Sequence, residues 1–400
     1  MLMPNHGAPL RAPHRAWPVP HRRWIALALA TALPGLAAGQ ASVRITGKLP
    51  ASALAAPSSV LAGEGLALRR AGTLGETLDG LPGVAASGFG PQASRPVIRG
   101  LDGDRIRLLD NGGASADASS LSADHAVALD PLVVERLEVL RGPAALLYGG
   151  NANGGVVNAI DNRIPREALH GLGGRSELRL GGAAQERTAA AMLEAGAGGF
   201  NWHADVARRL SDDLHTPAFT PLVDGQAGPI TRRVVNSSGA SESAAVGGSW
   251  ADAQGFAGAA LDAVRNQYGV VVDPAVRIHM RRERLQLASE RRGLSGIFSS
   301  VALQASHSRY AHQELEADGA VGTTFRSTGQ ELRLQASQAP LALAGGMLHG
   351  VIGLQHNGLD FSALGTEAFV PNTHNRSQAL FTLQALALGG ATLQAGLRLE

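Results

Sequence analysis

The 400-residue sequence contains no cysteine, which excludes a disulfide framework, a thiol nucleophile, a thiolate metal site and a lipidated N-terminal cysteine. Charged residues are scarce at 17% and aromatics scarcer at 4%, while glycine is abundant at 51 residues. A helical membrane span is missing as well. The N-terminal apolar run WIALALATALPGLAA, Trp24 to Ala38, is shorter than the roughly 20 residues a helix needs to cross a bilayer. Preceded by Arg11, Arg15, Arg22 and Arg23 and followed by small residues up to Ala41, it reads as a secretory signal peptide over 1–41. Removing its four arginines takes the formal charge from +2 to −2, so the basic balance gives no support to nucleic-acid binding.

The catalytic signatures are missing too. The glycines of ERLEVLRGPAALLYGGNANGGVVN, Glu135 to Asn158, are not followed by the Lys-Ser or Lys-Thr of a phosphate loop, and Gly149-Gly150-Asn151 lacks the strand-to-helix context of a dinucleotide site. No serine sits in a nucleophile elbow of the Gly-x-Ser-x-Gly kind. The expectation is a non-enzyme with no catalytic cofactor.

What is present divides into two textures. Over 57–165 the pattern is α+β: a short helix in TLGETLDGLPGV, Thr73 to Val84, then strands RPVIRG, Arg95 to Gly100, and RIRLLD, Arg105 to Asp110. DPLVVERLEVLRGP, Asp130 to Pro143, opens with a helix-start signature, Asp before Pro, and moves into alternation. After His170 period two takes over. In FNWHADV, Phe200, Trp202, Ala204 and Val206 lie opposite Asn201, His203 and Asp205, and ELRLQAS from Glu331 and TLQAGLRLE from Thr392 repeat the pattern. Short Gly-rich turns alternate with longer polar segments at 210–239, 269–277, 314–324 and 365–375. About eleven such strands over 166–400 predict an incomplete antiparallel transmembrane β-barrel. A soluble sandwich remains the alternative, because period two alone does not tell a lipid-facing side from a core-facing one.

RPVIRGLDGDRIRLLDNG, Arg95 to Gly112, followed by VVERLEVLRGPAALLYGGNANGGVVN, Val133 to Asn158, resembles the plug-domain signature of the TonB-dependent outer-membrane receptors. The resemblance implies a plug inside a barrel of about 22 strands, of which this chain would be the N-terminal part. It implies location in the outer membrane, contact with its lipid, and uptake of a scarce ligand driven by TonB and its inner-membrane complex. VRITG, Val43, Arg44, Ile45, Thr46 and Gly47, resembles the family's TonB box within a linker over 42–56, an extended segment suited to strand addition. Arg99 and Arg141 resemble plug arginines that pair with barrel carboxylates. SADHAVALDP, VVNAIDNRIP and DFSALGTEAFVP look most like the zinc-uptake members, which implies Asp124, His125 and Glu367 as ligands of zinc or another divalent metal. Imidazole with carboxylate suits zinc where thiols are absent. His312 with Glu314, Glu316 and Asp318, and His374, read individually as solvated loop residues. The alternatives are a ferric-siderophore or haem receptor and, from another class, a non-transporting surface-binding barrel or an inert truncated fragment.

Overall fold

The computed structural model describes residues 59–400 apart from Asp224, Thr366, Glu367 and Phe369. The signal peptide, the TonB-box segment and Glu367 therefore lie outside the described residues. The described part falls within one compact unit.

The first portion is a small α+β domain. Strand β1 (Ser59–Ala62) leads into α1 (Gly63–Arg69) and α2 (Leu74–Leu78), followed by β2 (Val84–Ala86), β3 (Pro96–Ile98), β4 (Ile106–Asp110), β5 (Gly113–Ala114), β6 (Arg136–Leu140) and β7 (Gly155–Ile160). Helix α2 starts where Thr73 Oγ1 accepts the Glu76 N–H at 3.3 Å, an N-cap that satisfies an otherwise orphaned donor. Five strands pair in the order β1-β6-β7-β4-β5, with β4 and β7 parallel. Leu66, Leu74, Leu78, Ile98, Leu137, Val139 and Val157 close the core between this sheet and the two helices.

The helix-start signature at Asp130 is a turn instead. Asp130 Oδ1 accepts the Leu132 N–H at 3.0 Å, and the chain passes directly into β6, whose Leu137 and Val139 are needed in the sheet. The signature thus caps only a bend, since β pairing with β1 and β7 outweighs it. The Gly-rich stretch is explained by close approach. A Cβ on Gly154 would lie 2.7 Å from Ile106 Cγ2, and one on Gly155 would lie 2.7 Å from the Leu140 carbonyl oxygen. Gly155 also has φ +130°, which side-chain-bearing residues rarely adopt. Gly155→Ala is expected to destabilise the plug by about 1–3 kcal/mol, read as a lower urea midpoint against wild type; an unchanged midpoint would show that β7 can shift freely.

Eleven long strands then form one antiparallel sheet. They are β8 (Gly171–Gly181), β9 (Glu186–Ala197) and β10 (Phe200–Ser211), then, after the short hairpins β11 (His215–Phe219) with β14 (Thr231–Arg233) and β12 (Leu222–Val223) with β13 (Gln226–Ala227), β15 (Gly239–Asp252) and β16 (Gly255–Val270). There follow β17 (Asp273–Arg292), β18 (Phe298–Leu315), β19 (Val321–Gln338), the short β20 (Leu341–Leu343), β21 (Gly346–Gly365), β22 (Thr373–Leu388) and β23 (Ala391–Leu399). Neighbours in sequence are neighbours in the sheet, with β8 and β23 at its two ends. The long connection expected at 269–277 is a tight reversal at Val271-Val272, because β16 and β17 keep pairing to within one residue of the turn.

The two faces have the reverse of a soluble protein's polarity. On β10, Phe200, Trp202 and Val206 are 69%, 44% and 55% exposed, whereas Asn201, His203 and Asp205 are 6%, 3% and 3% exposed. The polar face is covered by the plug and the apolar face by nothing among the described residues. That arrangement selects the barrel over the soluble sandwich. No helix among the described residues is long and apolar enough to cross a membrane.

Candidate metal centre

The plug segment between β5 and β6 lies against the inner faces of β16 to β21. Asp117 shapes it, accepting the Ser119 N–H at 3.0 Å and the Ala128 N–H at 2.9 Å. Tyr268 of β16 holds its far end: the hydroxyl accepts the Ala126 N–H at 2.8 Å and donates to the Asp124 carbonyl at 3.0 Å. Ser327 of β19 donates to the Ala116 carbonyl at 3.0 Å. Ala118, Ala126 and Ala128 pack against Tyr268, Ile278, Met280, Tyr310, Phe325 and Phe361 of the wall. These small side chains let the segment sit flush, and they bring His125 to the wall.

There His125 meets His312 and Glu314, both on the inner face of β18. One candidate ligand atom from each lies within 4.8 Å of the others. His125 Nε2 is 3.3 Å from Glu314 Oε1 and His312 Nε2 is 3.7 Å from the same oxygen. Each imidazole is held through its other nitrogen, His125 Nδ1 by the Ala118 carbonyl at 3.1 Å and His312 Nδ1 by the Tyr310 hydroxyl at 2.7 Å. Phe325 packs against both rings, with centroids 5.2 Å and 4.5 Å away. His125 and His312 are 2% and 1% exposed, and His312 Nε2 is a buried polar atom with no hydrogen-bond partner.

This geometry suits a divalent cation. Ligand atoms in a tetrahedral zinc site with bonds of about 2.1 Å are about 3.4 Å apart, close to both spacings observed here. Fixing each ring through Nδ1 is the outer-shell device that orients metal-binding histidines. Three protein donors leave one position open for a further ligand.

Of the residues expected from the sequence, His125 is in the cluster. Asp124 is its neighbour, but its carboxylate takes the Ser122 hydroxyl and is not among the clustered ligands. Glu367 lies outside the described residues. His312 and Glu314, read from the sequence as solvated loop residues, are buried on the wall because β18 runs on to Leu315. The missed signal was the period-two continuation Tyr310, His312, Glu314 on one face.

Plug and wall are also joined by buried charges, and among the described residues these do not involve Arg99 or Arg141. Arg99 is exposed, and Arg141 donates to the Pro82 carbonyl within the plug at 2.6 Å. Instead, plug Asp110 meets Arg282 at 3.3 Å and Arg284 at 2.9 Å on β17. Plug Arg163 makes two hydrogen bonds to Asp205 of β10, at 2.9 and 3.1 Å, and lies 3.6 Å from Asp262 of β16, which itself pairs with Arg282. Burial alone would raise the Asp110 carboxyl; Arg284 and Arg282 more than offset it and hold it below the usual carboxylate range.

Comparison with known proteins agrees with this architecture. Residues 50–156 match the TonB-dependent Receptor Plug Domain. The chain is 36% identical over 123 residues to a vitamin B12 transporter of Photobacterium profundum, covering 30% of this chain and 20% of that protein. It is 34% identical over 101 residues to a hemin receptor of Yersinia pestis, covering 25% of this chain and 14% of that protein. In fold it is similar to the copper transporter OprC, with a TM-score of 0.63 and 16% identity over 81% of this chain and 50% of that one. The chain thus spans half of that solved structure and a smaller share of the two curated relatives. Residues 50–156 thus match that plug-domain model, and the antiparallel strands after them are arranged as in the fold of the solved copper transporter.

Proposed function

We propose that the chain is the plug and first wall strands of an outer-membrane receptor that captures zinc or another divalent metal at its outer face and imports it by TonB-driven plug movement. The carrying observation is the His125, His312 and Glu314 cluster, which is shared between plug and wall. A cation bound there would be held by both parts, and withdrawal of the plug would remove His125 from the other two donors. Binding and release would then be coupled to the movement that TonB supplies. The named relatives are transporters and a receptor, which supports a non-enzymatic role, and one of them is a copper transporter. In the same reading Val43 to Gly47 is the segment that TonB engages.

A second reading, capture of a haem or cobalamin-type ligand, is favoured by the two curated relatives named above. Direct comparison separates the two. The receptor purified from outer membranes is titrated with zinc, copper, hemin and cobalamin by calorimetry. Saturable one-to-one binding of a metal ion, with none of hemin or cobalamin, is expected. Binding of hemin or cobalamin that metal does not affect would overturn the metal reading.

A further inference from the structure

The outer face of the wall carries a second feature, which the metal site does not use. Arg265 on β16 lies directly opposite Arg281 on β17. Arg281 lies opposite Ala311 on β18, and Ala311 opposite Arg326 on β19. Arg309 sits two residues from Ala311 on the same face of β18. All four arginines are exposed, and none makes an ion pair within 4 Å among the described residues. Three neighbouring outer-face acids are oriented differently: Glu242, directly opposite Arg265, pairs with Arg208 at 3.3 Å, Glu283 lies opposite Arg309 without closing an ion pair, and Asp360 is engaged with His374. Strands are spaced by about 4.8 Å, so the row spans about 15 Å.

Like charges opposite each other on adjacent strands destabilise a sheet unless an anion lies between them. The position of the row says which anion. Toward the short turns the same face becomes apolar, with Leu261, Leu285, Leu287, Leu303, Leu332 and Leu354 all exposed. That zone ends at Phe200 and Trp250, which pack edge to face at 4.5 Å. From Ala257, opposite Trp250, to Arg265 is about 27 Å along β16, close to the apolar band of about 25 Å on a membrane barrel. The arginines therefore stand where hydrocarbon gives way to headgroups, on the long-loop side. Lys48 is the sole lysine of the sequence, so every cation on this wall is an arginine, whose planar fork binds phosphate through two bonds at once.

We propose that Arg265, Arg281, Arg309 and Arg326 form a binding patch for the phosphate groups of an outer-leaflet lipid. The inference rests on the outer-membrane reading above. The test uses the receptor purified from outer membranes and the combined variant Arg265→Gln, Arg281→Gln, Arg309→Gln, Arg326→Gln. Native mass spectrometry then compares retention of bis-phosphorylated lipid A, the same lipid with its phosphates removed, and inorganic phosphate. Wild type is expected to retain the phosphorylated lipid at least about tenfold better than the dephosphorylated form, and the variant to lose that preference while keeping the heat-modifiable mobility of a folded barrel. Equal retention of both lipids by wild type, or an unchanged preference in the variant, would overturn the patch. Full displacement of the lipid by inorganic phosphate would assign the site to a free anion and overturn the lipid claim. Absence of the protein from the outer-membrane fraction would instead overturn the receptor reading.

Discussion

Arg282→Ala is expected to destabilise the docked plug by about 3–5 kcal/mol, seen as a large drop in the temperature at which the folded protein loses its compact gel mobility. Arg282 is 1% exposed and stands between Asp110 of the plug and Asp262 of the wall. Without it, the buried Asp110 and Asp262 carboxylates both lose the guanidinium they contact. Arg284 still reaches Asp110, and Arg163 lies near Asp262, so the loss is partial but lies in low-dielectric surroundings where an unpaired charge is costly. The exposed Arg232→Ala serves as control and should change stability by no more than about 0.5 kcal/mol. If the two variants behave alike, the buried pairs add nothing to docking. Adding Asp262→Asn to Arg282→Ala should restore part of the loss, because it removes one of the stranded charges.

The same network shows where sequence reasoning reaches and where it stops. Alternation in Phe200 to Val206 was legible because side-chain direction in a strand is local, and the structure keeps those two faces as read. Which face is buried was not legible, since that depends on the plug lying inside the sheet. Asp110 and Arg282 are 172 residues apart, and nothing local marks them as partners. Arg99 and Arg141 drew attention by resemblance, yet the local turn at Pro82 and Gly83 takes Arg141. The metal cluster divides the same way. His125 stands out through its motif, but His312 and Glu314 read individually as solvated loop residues, and 189 residues separate Glu314 from His125.

The largest expected effect on ligand binding comes from that cluster. His125→Ala and His312→Ala should each weaken divalent-metal binding by more than about a hundredfold, since even outer-shell partners cost about 10–100-fold when removed. Tyr310→Phe provides the graded case: it deletes the hydroxyl 2.7 Å from His312 Nδ1 and leaves every ligand atom in place. Its expected loss is about 10–100-fold, with the folded mobility in gels unchanged. Asp124→Asn should bind metal nearly as well as wild type, because the Asp124 carboxylate is engaged with Ser122 and not with the cluster. Calorimetric titration with zinc checks all four. If Asp124→Asn proves as damaging as His125→Ala, the plug segment must rearrange to bring that carboxylate to the metal. If neither histidine variant changes binding, the cluster is a buried packing contact and the metal reading fails at its own site.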